Sequence, residues 1–281
     1  MNFDHLPEDC FAHILSFTSP GDACRSSLVS SSFRATGDAD SVWRKFLPSD
    51  HKQILSRFVS PIAYSSSKDL FMKLCSPNLI DGGDKMFFVE KSTGKKCYML
   101  SARDLSISWG SHPLYWTWRP CLQSRFAEVA ELRTIWWLEI CGTTNTQMLS
   151  QKTVYGAYLI IKIANRAYGL DTLPSEVSLE VGSYKSQGSI YLSKRNDIKS
   201  GKQASSEHEH FPKVVRASRS RVLDEDRGGS KRGDGWMEVE IGSFYNGECD
   251  EKDVRMSLRE VKGVHLKAGL IVEGIELRPK Q

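Results

Sequence analysis

The chain has 281 residues, of which 40% are hydrophobic and 26% are charged, an ordinary composition for a globular protein of one or two domains. Its net charge of +4 is small and is not gathered into a dense basic stretch with interleaved aromatic residues, which argues against nucleic acid as a partner. No apolar run approaches the roughly 20 residues that a membrane-spanning helix requires, so we expect no membrane span.

The seven cysteines are odd in number, widely scattered and without a CxxC pair. This pattern predicts reduced thiols and neither a disulfide nor a zinc site. The first ten residues also lack the basic and apolar regions of a secretory signal. We therefore expect the protein in the cytoplasm, the nucleus or both.

Three short helices are predicted over residues 1 to 47. Pro7 suits the first turn of the first helix, and Ser19 followed by Pro20 suits the start of the second. The third is expected to carry Leu28 and Val29 and is followed by a capped turn that reaches Trp43. A unit of this size cannot bury all of its apolar side chains, so the leftover apolar surface is predicted to contact a partner.

The arrangement resembles the F-box, through LP at 6 to 7, IL at 14 to 15, LVS at 28 to 30 and a late tryptophan. The resemblance implies docking to Skp1, the adaptor that joins F-box proteins to the cullin of an SCF ubiquitin ligase. The residues at the matching positions are Leu6, Pro7, Ile14, Leu15, Leu28, Val29 and Trp43. The alternative is an ordinary helical bundle that caps the following domain.

Residues 48 to 82 are predicted to form a helical connecting segment, with two further short helices around Ile54 and Leu70. After Gly83 the apolar spacing changes from a helical period to the alternation of strands. We place the domain boundary near residue 82.

From residue 83 onward the sequence shows many short alternating or β-branched runs separated by Gly, Asn and Asp turns, which predicts an antiparallel sandwich or barrel. The runs lie at 86–90, 97–100, 105–109, 135–141, 154–163, 177–181, 237–241 and 264–277. The segment 199–235 is rich in Lys, Arg, Ser and Gly and is predicted to include a long flexible loop.

Within this region, the segments ARDLSISWGSHPLYWTW, EVAELRTIWWLEICG and DGWMEVEIGSFYN resemble the PP2 (phloem protein 2) or Nictaba-type lectin domain of plants. The resemblance implies a jelly-roll-like β-sandwich over residues 83 to 281 that binds oligomers of N-acetylglucosamine or the core of N-glycans. Trp109 and Trp116 match positions that line the sugar site of that family. Joined to an F-box, the chain resembles the plant F-box proteins of PP2-B type.

The remaining tryptophans are interpreted from their spacing. Trp109 continues an apolar strand face and has a core role as its alternative. Trp118 and Trp136 are expected in the core, Trp137 is left open, and Trp236 is expected to be structural.

We find no GxSxG, phosphate-binding or dinucleotide-binding motif, so the chain is expected to be a non-catalytic adaptor without a cofactor. The sequence favours the substrate-recognition subunit of an SCF ligase, with a glycan or glycoprotein as its target. Two alternatives remain: a lectin without any role in degradation, and a sandwich that binds a protein epitope directly.

Overall fold

A computed structural model describes residues 8–193, 229–247 and 251–280. Most of the loop predicted at 199–235 lies outside these residues, but its last part contains the short strand Ser230–Lys231.

The N-terminal part of the chain is helical, and three serine hydroxyls cap its helices. Ser19, Ser30 and Ser66 each accept a hydrogen bond from a backbone N–H three residues later, the arrangement that favours a helix start. The helices are α1 Glu8–Leu15, α2 Pro20–Ser26, α3 Ser31–Gly37, α4 Asp40–Phe46, α5 His51–Ser56 and α6 Ser67–Leu74. Within the described ranges, no helix is both long and apolar enough to cross a bilayer.

The third helix begins later than predicted. Because Ser30 caps α3, Leu28 and Val29 lie in the turn that precedes it and not on the helix itself.

The rest of the described chain is mainly strand. The strands are β1 Asn78–Ile80, β2 Lys85–Val89, β3 Lys96–Ser101, β4 Ser106–Ile107, β5 Trp116–Arg119, β6 Val129–Leu132, β7 Leu138–Asn145, β8 Thr153–Tyr168, β9 Ser175–Val181, β10 Tyr184–Ile190, β11 Ser230–Lys231, β12 Met237–Asn246, β13 Asp253–Glu260 and β14 Ala268–Pro279. The first strand precedes Gly83, earlier than predicted, because the run Asn78–Ile80 is too short to show a period and is fixed by pairing with β2.

In the described part of the chain the strands form two antiparallel sheets and no barrel. The larger sheet runs β1-β2-β3-β14-β8-β12-β11, with β5 and β6 attached beside β14. The smaller sheet runs β10-β9-β13-β7-β4. Helices followed by an antiparallel β domain confirm the predicted fold class.

One hydrophobic core extends from the helices into both sheets. Trp43 and Phe71 meet with ring centroids 5.2 Å apart, and both belong to the cluster that contains Phe87 of β2. The β2–β3 turn also packs against the helices, since a Cβ at Gly94 would lie 3.3 Å from the carbonyl oxygen of Phe46. The helical unit and the sandwich are therefore in direct contact.

A second, smaller core lies on the larger sheet around Trp236 and Phe126. Beside it, the β14 carboxylates Glu273 and Glu276 are buried and paired with arginines from loops and strands. These ion pairs fasten the covering segments to the sheet.

Candidate partner and ligand sites

Between residues 8 and 47, four large apolar side chains are exposed. Ile14, Leu28 and Val29, all predicted to contact Skp1, are 48%, 78% and 71% exposed. Phe17, which follows α1, is 77% exposed and stacks edge-on against His13 at 4.9 Å. We call Ile14, Phe17, Leu28 and Val29 the helical apolar surface.

Two predicted Skp1-binding residues have a different place. Leu15 and Trp43 are 3% and 1% exposed and belong to the main core, and the Trp43 indole N–H donates to the Gly37 carbonyl at 2.7 Å. Buried side chains cannot contact a partner directly, so both residues support the helical unit from inside. Leu6 and Pro7 lie outside the described residues.

Trp109 is presented at the surface by a loop. It follows β4 and has a φ of 54°, a left-handed conformation that is rare for a bulky residue. Its side chain is 48% exposed, and its ring centroid lies 5.9 Å from that of Tyr115. The placement agrees with a ligand-binding role and excludes the alternative core role.

Trp116, the other predicted sugar-site residue, is buried in the main core at 2% exposure. Its ring therefore offers no face to a sugar, and this prediction is corrected. Its indole N–H donates to the Ser108 carbonyl at 3.1 Å, and that of half-buried Trp118 donates to the Gly110 carbonyl at 2.7 Å. The two indoles fasten the peptide groups on either side of Trp109.

Trp136 and Trp137 are also exposed, at 54% and 42%. The prediction of a core role for Trp136 is wrong because both residues precede β7, which starts at Leu138, so strand alternation does not apply to them. Their segment is adjacent to the Trp109 loop, since the Arg133 backbone N–H donates to the Tyr115 carbonyl at 2.8 Å. We call Trp109, Trp136 and Trp137 the aromatic rim.

Glu139 on β7 links the loops that carry the aromatic rim. Its carboxylate accepts hydrogen bonds from the Ser108 hydroxyl at 3.2 Å and the Trp137 indole at 3.3 Å. The guanidinium of Arg259 on β13 approaches the same carboxylate at 2.7 Å. This half-buried group offers acceptor and donor atoms beside aromatic surface, the combination that recognises a hydroxylated ring.

Charged groups beneath the rim are buried. Lys267 and Glu260, 1% and 4% exposed, form an ion pair, and Lys267 Nζ donates to the Trp136 carbonyl at 2.6 Å. Ile135 and Lys267 also exchange two backbone hydrogen bonds. The position of Trp136 thus depends on a buried lysine.

Glu139, Lys267 and Phe17 were not identified from the sequence. A charged residue on an alternating strand looks the same in the sequence whether or not tertiary contacts bring functional groups beside it. Phe17 lies three residues after the exposed Ile14 and beyond α1, which ends at Leu15.

The described residues contain no cluster of three or more His, Cys, Asp or Glu side chains arranged to hold a metal ion. Burial raises the pKa of the Cys141 thiol, so this cysteine beside Glu139 stays protonated at neutral pH. The arrangement suits binding by stacking and hydrogen bonding.

Comparison with known families agrees with both halves of the structure. Residues 95–279 match the family described as phloem protein 2, and residues 3–49 match the F-box-like family. The chain is thus an F-box protein with a lectin-like domain.

Full-length relatives are known from Arabidopsis thaliana. The chain is 47% identical to F-box protein PP2-B15 over 98% of its own length and 96% of that protein. It is 44% identical to F-box protein VBF over 98% of its own length and 99% of that protein.

Among solved structures, a Podospora anserina GH26-CBM35 beta-(1,4)-mannanase shares 10% identity at a TM-score of 0.33, covering 66% of this chain and 28% of that one. A likeness of that size bears on neither fold nor function. The helices match the F-box, and the match to phloem protein 2 covers more than half of the chain. The chain therefore belongs to the F-box PP2-B family.

Proposed function

We propose that this protein is the substrate-recognition subunit of an SCF ubiquitin ligase, acting without catalysis of its own in the cytoplasm, the nucleus or both. The F-box docks a Skp1-type adaptor, and through it a cullin, while the PP2 domain binds a glycan or glycoprotein. The observation that carries the proposal is the joining of an exposed helical apolar surface to a domain with an exposed aromatic rim.

The helical apolar surface supports the docking half of the proposal. Exposed clusters of large apolar side chains next to polar neighbours are typical of protein interfaces. Ile14, Leu28 and Val29 are both F-box motif positions and exposed, so we assign direct contact with the adaptor to them. Phe17, which follows α1, is exposed as well.

Pull-down of a Skp1-type protein by the full chain tests the docking. We expect Ile14→Asp and Leu28→Asp to abolish capture because each places a charge within an apolar contact. Val59→Asp is the matched control, since Val59 is 51% exposed in the connecting segment and outside the F-box match. Capture that survives Ile14→Asp and Leu28→Asp would refute the docking surface.

The aromatic rim and Glu139 support the glycan half. The C–H face of a sugar ring can stack on an indole, while a carboxylate and a guanidinium pair with its hydroxyls. Trp109, Trp137, Glu139 and Arg259 supply these groups within adjacent loops and strands. The Trp116 position of the family acts here from the core, by holding the Trp109 loop.

Titration of the full chain with N-acetylglucosamine oligomers and N-glycan core fragments tests this half, with micromolar to millimolar affinity expected. Trp109→Ala and Trp137→Ala should each weaken binding about tenfold or more, since a lost stacking contact of about 1.4 kcal/mol is tenfold in Kd. Tyr245→Ala is the matched control, because Tyr245 is 62% exposed on β12.

The outcomes separate the remaining alternatives. A folded protein that captures Skp1 but binds none of these sugars would point to a protein epitope as the target. Sugar binding without Skp1 capture would indicate a lectin with no role in degradation.

A further inference from the structure

A cavity of about 260 Å³ lies where the helical unit meets the sandwich. Helix α2 contributes Pro20, Gly21 and Cys24 to its lining, α6 contributes Met72, and the β2–β3 turn contributes Lys91 and Ser92. Small ligands bind preferentially in cavities at such junctions, where two structural units supply the lining together. The cavity is separate from the helical apolar surface and from the aromatic rim, because no residue of either lines it.

The inner end of the cavity is rigid and apolar. The other two lining residues, Trp43 and Phe71, are 1% and 0% exposed and belong to the main core. Their ring centroids lie 5.2 Å apart, so they close the cavity from below. Lys91 and Ser92 are exposed and Met72 is partly exposed, so the cavity opens to solvent beside the β2–β3 turn.

The size and the lining of the cavity favour an aromatic ligand. An apolar cavity of about 150 Å³ already accepts benzene. The larger cavity here therefore has room for two fused rings. Cys24 and Met72 supply polarisable sulfur atoms, which make favourable contacts with aromatic rings. Ordered water is a poorer occupant, because each molecule needs about two to four polar partners and most of this lining is apolar.

Lys91 places a positive charge at the open end. The carboxylates of the surrounding helices already have cations: Asp22 has Arg25, Asp38 has Lys68, Asp40 has Arg44 and Asp69 has Lys73. Lys91 forms no ion pair with a carboxylate in the described part of the chain. A ligand with a negative group would therefore supply the charge that this ammonium lacks.

The thiol that follows α6 does not compensate Lys91. Burial raises the pKa of Cys75 to about 11, and the Lys91 ammonium acts on it in the opposite direction. The thiol thus stays neutral at physiological pH. Its response to Lys91 also shows that the positive charge lies near the end of the helix that carries Met72.

We propose that this cavity binds a small planar aromatic carboxylate, whose rings lie between Cys24 and Met72 and whose carboxylate pairs with Lys91. The proposal goes beyond the ligase function and depends on neither adaptor docking nor glycan binding. A ligand seated here contacts both α2 and the β2–β3 turn. Its binding therefore stabilises the contact between the F-box and the sandwich.

Calorimetric titration of the full chain with naphthalene-2-carboxylate and naphthalene-2-carboxamide tests the charge. The two compounds have nearly the same shape, and only the first is an anion. We expect a Kd of about 100 µM for the carboxylate and binding about fivefold weaker for the carboxamide. Lys91→Gln should reduce this preference to about twofold or less. Lys95→Gln is the matched control, because Lys95 lies in the same turn but does not line the cavity.

Filling the cavity tests the location. Cys24→Phe places a ring inside it and should weaken binding of both compounds about tenfold or more. Cys10→Phe is the matched control, because Cys10 is exposed on α1. Met72→Trp, at the partly exposed mouth, should weaken binding in the same way if Cys24→Phe disturbs folding. Circular dichroism checks the fold of each variant.

Three results would overturn the proposal. The first is a folded, unaltered chain that binds neither compound or binds both equally. The second is a preference for the carboxylate that Lys91→Gln leaves unchanged. The third is full binding by folded Cys24→Phe or Met72→Trp protein, because the ligand would then lie elsewhere.

Discussion

Trp109 is held in a backbone conformation that costs of the order of 1 to 3 kcal/mol for a residue of its size. The surrounding hydrogen bonds maintain it. The carbonyls of Ser108 and Gly110 each accept an indole N–H, and the Trp109 carbonyl accepts the backbone N–H of His112 at 2.9 Å. Trp116 and Trp118 thus position Trp109 without facing a ligand themselves.

Trp116→Phe tests this positioning role because it keeps a large ring and removes the indole donor. We expect a loss of about 1 to 3 kcal/mol in unfolding free energy. Phenylalanine has no N–H, so the Ser108 carbonyl loses the hydrogen bond that it accepts from the Trp116 indole. Trp116→Ala should cost more, about 3 to 5 kcal/mol. Urea unfolding measures both, and a Trp116→Phe protein as stable as the unaltered chain would show that the hydrogen bond is dispensable.

Lys267 plays a comparable role beneath Trp136. Lys267→Met should lower stability by about 3 to 5 kcal/mol because it leaves the Glu260 carboxylate buried without its cation. Adding Glu260→Gln should recover part of that loss. Thermal unfolding of the single and double variants checks this. If Lys267→Met alone and Lys267→Met with Glu260→Gln were equally destabilised, a specific Lys267–Glu260 pair would be contradicted.

At the scale of elements, β14 organises the outer face of the larger sheet. Glu273 accepts the backbone N–H of Arg125 at 2.7 Å and its guanidinium at 2.6 Å. Glu276 lies within 3.1 Å of Arg125, Arg232 and Arg278. Through these ion pairs, β14 holds the segment before β6, the β11–β12 turn and its own C-terminal end in place.

The stability of this arrangement depends on pH in a defined direction. Burial disfavours the ionised form of Glu276, but Arg232, Arg278 and Arg125 outweigh it and hold its pKa below the usual value. A lowered folded-state pKa means that Glu276 stabilises the fold fully above its unfolded pKa of about 4.5. That contribution is lost as the pH falls through the folded value.

We expect urea unfolding between about pH 7 and about pH 3 to show a decline in stability that is smaller in Glu276→Gln. The same substitution should lower stability at neutral pH, because the paired arginines lose their buried partner. Glu180→Gln is the matched control, since Glu180 forms its ion pair on the exposed side of the smaller sheet. An unchanged acid slope in Glu276→Gln would contradict the assignment.

Helices and strands were predicted from the sequence where their signals are local, and residue exposure was not where it depends on tertiary contacts. Ser19-Pro20 located a helix start, and the alternation in β9 and at the start of β12 located core faces, because these signals are local. Trp116 and Trp136 were misassigned for a different reason: exposure near a strand end depends on where pairing stops. Glu139 acquires its neighbours from β4, β13 and a loop, which no local pattern encodes.

At the scale of the whole molecule, the shared core joins F-box and sandwich. Asp50 of the connecting segment pairs with Lys96 of β3 at 3.0 Å, and Arg57 pairs with Asp81 at 2.6 Å. Apolar contacts around Phe71 add to these ion pairs. The two parts are expected to unfold together.

Phe71→Ala checks this cooperativity. We expect a loss of about 3 to 5 kcal/mol in one transition, with helical and β signals changing together, because Phe71 is fully buried. Met72→Ala, at 37% exposure on the same helix, should have a much smaller effect. Separate transitions by far-ultraviolet circular dichroism and tryptophan fluorescence would show that the two parts are independent.

The Gly94 turn seated against α4 has a consequence for the proposed ligase. A receptor whose two ends share one core keeps the separation between adaptor and captured target nearly constant. In the proposed ligase, this fixed separation would select lysines by position: among the lysines of a bound target, those that lie at the distance set by the receptor are modified, whatever sequence surrounds them.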